Sequence, residues 1–255
     1  MKKFYAITNL FITVFLIAWN YISNAVGING NTISKLSAEY FNLFTPAGYA
    51  FSIWGLIFLS LLAHSIFQVK SVFDDKMPDD FVLQIGPWLI IANLANGAWL
   101  WFWLSEYTGF SVCIMLTILT ALLTIVVRLN MERWDASKNI KRWVWIPISL
   151  YSGWIAVATI ANISAYLAKI EWQVVFSETV WTVIMIVIAA LVNLWMLKFR
   201  NMRVFSGVGV WAITAIAVRH WSNIPTLQWT ALACVVMLVV ANILHHYTYP
   251  NAIVE

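Results

Sequence analysis

The sequence predicts an all-α integral membrane protein with eight transmembrane helices. Hydrophobic residues fill 62% of 255 positions and charged residues only 10%. A globular domain carries about 25% charged residues and needs them to coat a water-facing surface. Apolar runs near the roughly 20 residues needed to cross a bilayer recur along the chain. They lie at about 4–26, 46–69, 81–104, 109–130, 143–167, 178–198, 204–220 and 225–246. The first follows Met1-Lys2-Lys3 and is long enough to span, so it is expected to be a membrane helix and not a cleaved signal. Pro46 and Pro225 are expected to open the second and eighth spans, where a missing N–H costs nothing.

Charge placement orients this set. With the N-terminus cytoplasmic, twelve of the fifteen Lys and Arg residues fall on the inner side and only Lys35, Lys169 and Arg219 on the outer. That positive-inside bias predicts both termini in the cytoplasm, which requires an even number of spans. A bacterial inner membrane is the expected location. The longest outer connection, about 27–45, turns aromatic toward its end (Tyr40, Phe41, Phe44) and is long enough to fold over the outer mouth of a bundle.

Several function classes are disfavoured. Every Lys, Arg, Asp and Glu lies at or near a span end, which argues against a proton-coupled transporter and excludes a retinal Schiff base. The basic residues form no stripe, so no nucleic-acid partner is expected. No Ser/His/Asp or Cys/His set and no phosphate loop can be assembled, and Cys113 and Cys234 sit apart within apolar runs. His64 alone titrates well inside a span. It reads as a histidine bonded to a neighbouring helix, or as an axial ligand to a haem-type iron, for which no second His stands at matching depth. His245 and His246 read as interfacial, and Trp101, Trp143 and Trp145 as residues of the aromatic belts.

The interior does hold amides and rings at helical spacing. Tyr151, Trp154, Ala158 and Asn162 fall at i, i+3, i+7 and i+11 on the fifth span, with Thr159 beside them. Asn96, Trp99 and Trp103 share one face of the third span, and Phe51, Trp54 and Phe58 one face of the second. An amide in hydrocarbon needs a partner, so Asn96 and Asn162 should point into the bundle. The stripes read either as helix–helix glue or as the lining of a slot for a planar lipophile. At about 1.5 Å per residue, Trp54, Asn96 and Ala158 all lie roughly 12–14 Å below the outer boundary, which would put the stripes level.

At these residues the chain resembles the TspO/MBR family, the tryptophan-rich sensory proteins related to the mitochondrial translocator protein. Tyr151-x-x-Trp154-x-x-x-Ala158-Thr159-x-x-Asn162 follows the family pattern position for position. Asn96-x-x-Trp99 and Pro46 with Phe51 and Trp54 are similar to its second and third helices. Pro147 stands four residues before Tyr151 where the family places a Pro directly before it. The sterol-recognition pattern is absent around Tyr166. The resemblance covers about residues 1–167 and implies a TspO-like five-helix bundle there. Residues 168–255 are then expected to form three additional helices and a short cytoplasmic tail.

The resemblance implies a membrane-embedded binding or sensory protein for a planar lipophile, a tetrapyrrole such as protoporphyrin or haem, with a regulatory or stress-response role. The expected ligand-binding residues are Phe51, Trp54, Asn96, Trp99, Tyr151, Trp154, Ala158 and Asn162. No catalytic residue, metal or required cofactor is expected, and the expected partners are the ligand, the bilayer and a second copy of the chain. Two other classes stay open: a transporter of a lipophilic solute gated by the last three helices, and a membrane enzyme degrading a porphyrin-like ligand.

Overall fold

Lipid offers the backbone no hydrogen-bonding partner, so an apolar run must close its N–H and C=O groups on itself. A computed structural model describes residues 1–40, 42–172 and 176–248, and every regular element among them is helical. The order is α1 (Lys2–Ala25), α2 (Ile33–Glu39), a 3₁₀ turn (Gly48–Ser52), α3 (Ile53–Phe73), α4 (Asp80–Ile85), α5 (Trp88–Leu104) and α6 (Thr108–Arg128). It continues with α7 (Lys138–Ile140), a π turn (Lys141–Trp145), α8 (Ile146–Lys169), α9 (Glu178–Arg200), α10 (Arg203–Arg219) and α11 (Pro225–Thr248). Phe41 of the first loop, and the tail after Thr248, lie outside the described residues.

Six runs among the described residues are long and apolar enough to cross a bilayer: Lys2–Ala25, Gly48–Phe73, Thr108–Arg128, Lys138–Lys169, Glu178–Arg200 and Pro225–Thr248. The remaining two expected spans correspond to α5 and α10, each of 17 residues. That length is the lower limit for a crossing. The span expected at 81–104 is broken because Gly86 takes φ +51 and Pro87 has no N–H to continue the ladder. Arg128 Nε donates to the Gln84 carbonyl at 2.6 Å, satisfying an acceptor near the end of α4.

Two further expectations are corrected. Pro46 does not open an α-helix, since the 3₁₀ turn intervenes before α3. Trp145 is not a belt residue: it is 1% exposed. The π turn at Lys141–Trp145 closes i→i+5 bonds, so residues after it no longer follow the face that a 3.6-residue period assigns.

The chain forms two compact units. The first comprises residues 1–33, 53–131 and 136–152, and the second 34–52, 132–135 and 153–255.

In the first unit, α1 packs on α3 and α5, and α5 on α6. Its polarity is inverted relative to a soluble protein. Asn9 is 0% exposed while Phe11, two positions on, is 72% exposed. The buried face of α1 repeats as Ala6, Asn9, Thr13, Leu16, Asn20 and Ser23, a helical period with polar groups inside. These groups find one another across helices. Asn9 Nδ2 donates to Gln68 Oε1 at 3.0 Å, Thr13 and Ser65 hydroxyls meet at 3.1 Å, and Asn93 Nδ2 donates to Thr13 Oγ1 at 3.1 Å. Farther along α1, Trp19 Nε1 donates to the Gly97 carbonyl at 3.0 Å.

The helix ends of this unit group by sequence parity. Lys2 Nζ lies 2.7 Å from both Asp79 and Asp80. Asn31 Nδ2 donates to the Leu104 carbonyl and to Glu106. The start of α1 therefore meets the start of α4, and the residues after α1 meet the end of α5.

In the second unit, α9, α10 and α11 pack together. Residues 40 and 42–50 are tied to one end of this unit. Leu43 receives His220 Nε2 on its carbonyl at 2.7 Å and gives its N–H to Glu178 Oε1 at 3.2 Å. The Ala47 amide donates to the Ala215 carbonyl at 3.0 Å, and Trp211 Nε1 to the Ala50 carbonyl at 3.1 Å. Lys169 Nζ lies 4.9 Å from the Tyr40 ring centroid. The ends of α8 and α10 and the start of α9 thus share one end of the unit with this loop.

Close approach within the second unit depends on two glycines. A Cβ on Gly153 would stand 3.0 Å from the Phe205 carbonyl oxygen and 3.1 Å from Val208 Cβ. A Cβ on Gly209 would run into the side chain of Asn193, which lies buried against it. Small residues let helices approach where lipid supplies no hydrophobic drive, because packing is then the main attraction. Gly209→Ala is expected to destabilise the protein by about 1–3 kcal/mol, seen as a lower thermal midpoint in detergent. Adding Asn193→Ala should recover part of the loss, and no recovery would show that the contact is not its cause.

Candidate functional site

The expected ligand-binding residues fall into two groups. In the first unit, α3, α5 and α8 bring together Trp54, Asn96 and Tyr151. Tyr151 is fully buried, and its hydroxyl accepts from Asn96 Nδ2 at 2.8 Å and donates to the Ala92 carbonyl at 3.4 Å. The Trp54 ring stands 6.1 Å from the Tyr151 ring at 65°, and stacks on Phe58 at 5.2 Å and 25°. Trp54 is only half-buried. The group therefore combines a fixed phenol, an amide that orients it and a half-buried indole. Trp99 is buried and stacks on Trp103 at 6.1 Å and 14°.

In the second unit, Phe51 meets Trp154 edge-on at 6.0 Å and 83°. Trp154 and Asn162 are buried, and Ala158 is half-buried. The spacing of the fifth-span motif is helical throughout, but the unit boundary passes between Ser152 and Gly153. Tyr151 thus belongs to the first unit and Trp154, Ala158 and Asn162 to the second.

His64 takes the first of its two readings. Pro147 has no N–H, so the i→i−4 bond to the Trp143 carbonyl cannot form. His64 Nδ1 lies 2.7 Å from that oxygen and must donate to it, which fixes the tautomer. The proline that departs from the family spacing is thereby matched by the one histidine deep in a span.

Two features escaped the sequence reading. One is the amide and hydroxyl seam of Asn9, Thr13, Ser65, Gln68 and Asn93. Its signal is the spacing Asn9/Thr13 at i, i+4 and Asn93/Asn96 at i, i+3, short polar pairs that barely alter the hydropathy of an apolar run. The other is a cavity of ≈630 Å³ in the second unit, lined by Asn42, Phe44, Glu171, Trp172, Trp181 and Met185 among others. Its residues come from the loop before the 3₁₀ turn and from around the α8–α9 connection, where no single helical period could reveal them.

Among the described residues no group of three or more His, Cys, Asp or Glu is placed to hold a metal ion. The aromatic and amide groups can bind by stacking and hydrogen bonding. Tyr151→Phe removes the acceptor of Asn96 while leaving the ring in place. It should lower stability by about 1–2 kcal/mol, read as a shift in thermal midpoint, and an unchanged midpoint would show that this bond contributes nothing net.

The model of the TSPO-like protein family matches residues 6–244. No curated protein and no solved structure matches the chain. The match runs well past residue 167, so α9, α10 and α11 fall inside the family's extent and are not an appendage beyond it. With nearly its whole length covered, the chain is a multi-pass helical membrane protein that belongs to the TSPO-like protein family.

Proposed function

We propose that this protein binds a planar lipophilic ligand, a tetrapyrrole such as protoporphyrin or haem, and serves as a membrane-embedded sensory or regulatory protein. The observation that carries the reading is the group formed by Trp54, Tyr151 and Asn96. A half-buried indole beside a phenol locked by a buried amide suits a flat, apolar ring system. Phe51 and Trp154 supply a second aromatic pair, and membership of the TSPO-like family suggests ligand binding or sensing.

No histidine stands among the eight residues, so binding would rest on stacking and amide contacts and not on iron ligation. Within the first unit, Trp54 and Trp99 are assigned to stack on the ligand, with Asn96 orienting its polar edge. We also read α5 and α10 as crossings, making eight. The grouping of helix ends within each unit supports that count, and the positive-inside bias then puts both termini in the cytoplasm of a bacterial inner membrane.

Protoporphyrin titrated into detergent-purified protein should quench tryptophan fluorescence saturably. Trp54→Ala, at a half-buried position that the fold can spare, should weaken binding by roughly fivefold, corresponding to about 1 kcal/mol of ring contact. Identical affinity in wild type and Trp54→Ala would remove this assignment.

A further inference from the structure

The ≈630 Å³ cavity of the second unit has a chemistry distinct from the aromatic and amide groups above. We propose that it is a binding site for an amphiphilic organic cation, with the charge held at Glu171 and Glu178 and the apolar body against Phe44, Trp172, Phe176 and Trp181. The proposal does not depend on the tetrapyrrole reading.

Size comes first. Pockets for small molecules run from about 300 to 1,000 Å³, and this one falls in that interval. Its lining includes two carboxylates and no Lys or Arg. Lys169, at the end of the same helix, lies over the Tyr40 ring. Among the described residues the cavity therefore presents negative charge with no Lys or Arg in its wall.

The carboxylates are held in different ways. Glu178 opens α9, and one of its oxygens accepts the Leu43 amide at 3.2 Å, which ties the carboxylate to the loop that lines the cavity. Glu171 sits in a left-handed turn at φ +50, is exposed, and makes no ion pair among the described residues. It can turn toward a cation without breaking a structural bond.

The rings complete the site. Trp181 has Trp172 at 5.9 Å and 42° on one side and Phe176 at 5.8 Å and 74° on another. None of these pairs is parallel, so ring faces remain for a guest. An aromatic face carries negative potential and attracts a cation, most strongly on tryptophan. Trp172 and Phe176 are each 50% exposed, a large apolar area left open beside two acids. Trp181 Nε1 is buried and has no hydrogen-bond partner among the described residues, so it has a donor to offer a ligand. An anionic tetrapyrrole would meet two like charges here. A plain acyl chain would leave them unused.

The test uses tetraphenylphosphonium and its neutral relative triphenylphosphine oxide, each titrated calorimetrically into the full chain in lipid nanodiscs. Tetraphenylphosphonium should bind saturably, and triphenylphosphine oxide more weakly. Glu171→Gln should weaken the cation about fivefold without changing the thermal midpoint, because it breaks no contact. Trp181→Ala should weaken it roughly twofold to fivefold. Protoporphyrin affinity should be the same with and without the cation. Equal binding of the neutral compound, an unaltered cation affinity in Glu171→Gln, or displacement of the cation by protoporphyrin would each overturn the proposal.

Discussion

The structure depends on one constraint: inside a bilayer a polar group has only the protein to bond with. Asn9, Thr13, Ser65, Gln68 and Asn93 are all essentially unexposed, and they bond to one another across α1, α3 and α5. On α1 the phenylalanines Phe4, Phe11 and Phe15 face outward instead. Helix orientation follows from this. Once Asn9 and Thr13 must find Gln68 and Ser65, the rotation of α1 about its axis and its register against α3 are both set. Tyr151, Asn96 and the Ala92 carbonyl then extend the same logic to α8.

The same constraint accounts for the irregular places. A proline in a span frees a carbonyl four residues back, and in lipid that oxygen cannot be left to water. His64 serves the Trp143 carbonyl left by Pro147. Near the broken helix at Gly86-Pro87, the Gln84 carbonyl receives the Arg128 guanidinium. In both places a backbone oxygen takes a donor from a different helix.

Helical periodicity made much of this legible. Apolar run lengths marked the long helices, and the i, i+3, i+7 spacing put Trp54, Asn96 and Tyr151 on faces that do meet. Three things stayed hidden for physical reasons. A place at a span end does not tell which way an indole faces, so Trp145 was expected in the aromatic belt and is buried. Hydropathy does not register that Gly86-Pro87 breaks a helix within an apolar run, nor where the compact units divide within α8. The cavity at Glu171 and Glu178 is assembled from a loop and a helix connection, and residues 42–44 reach it only through bonds such as Leu43 to Glu178 and His220. Contacts between segments so far apart in sequence leave no local pattern to read.

The inverted polarity of α1 is the claim on which the fold of the first unit rests, and oxygen accessibility of nitroxide labels placed one at a time along α1 in proteoliposomes tests it most directly. The account predicts a helical oscillation with minima at Ala6, Asn9, Thr13, Leu16, Asn20 and Ser23 and high values at Phe4, Ile7, Phe11 and Phe15. Minima on the phenylalanines with Asn9 and Thr13 open to oxygen would contradict it.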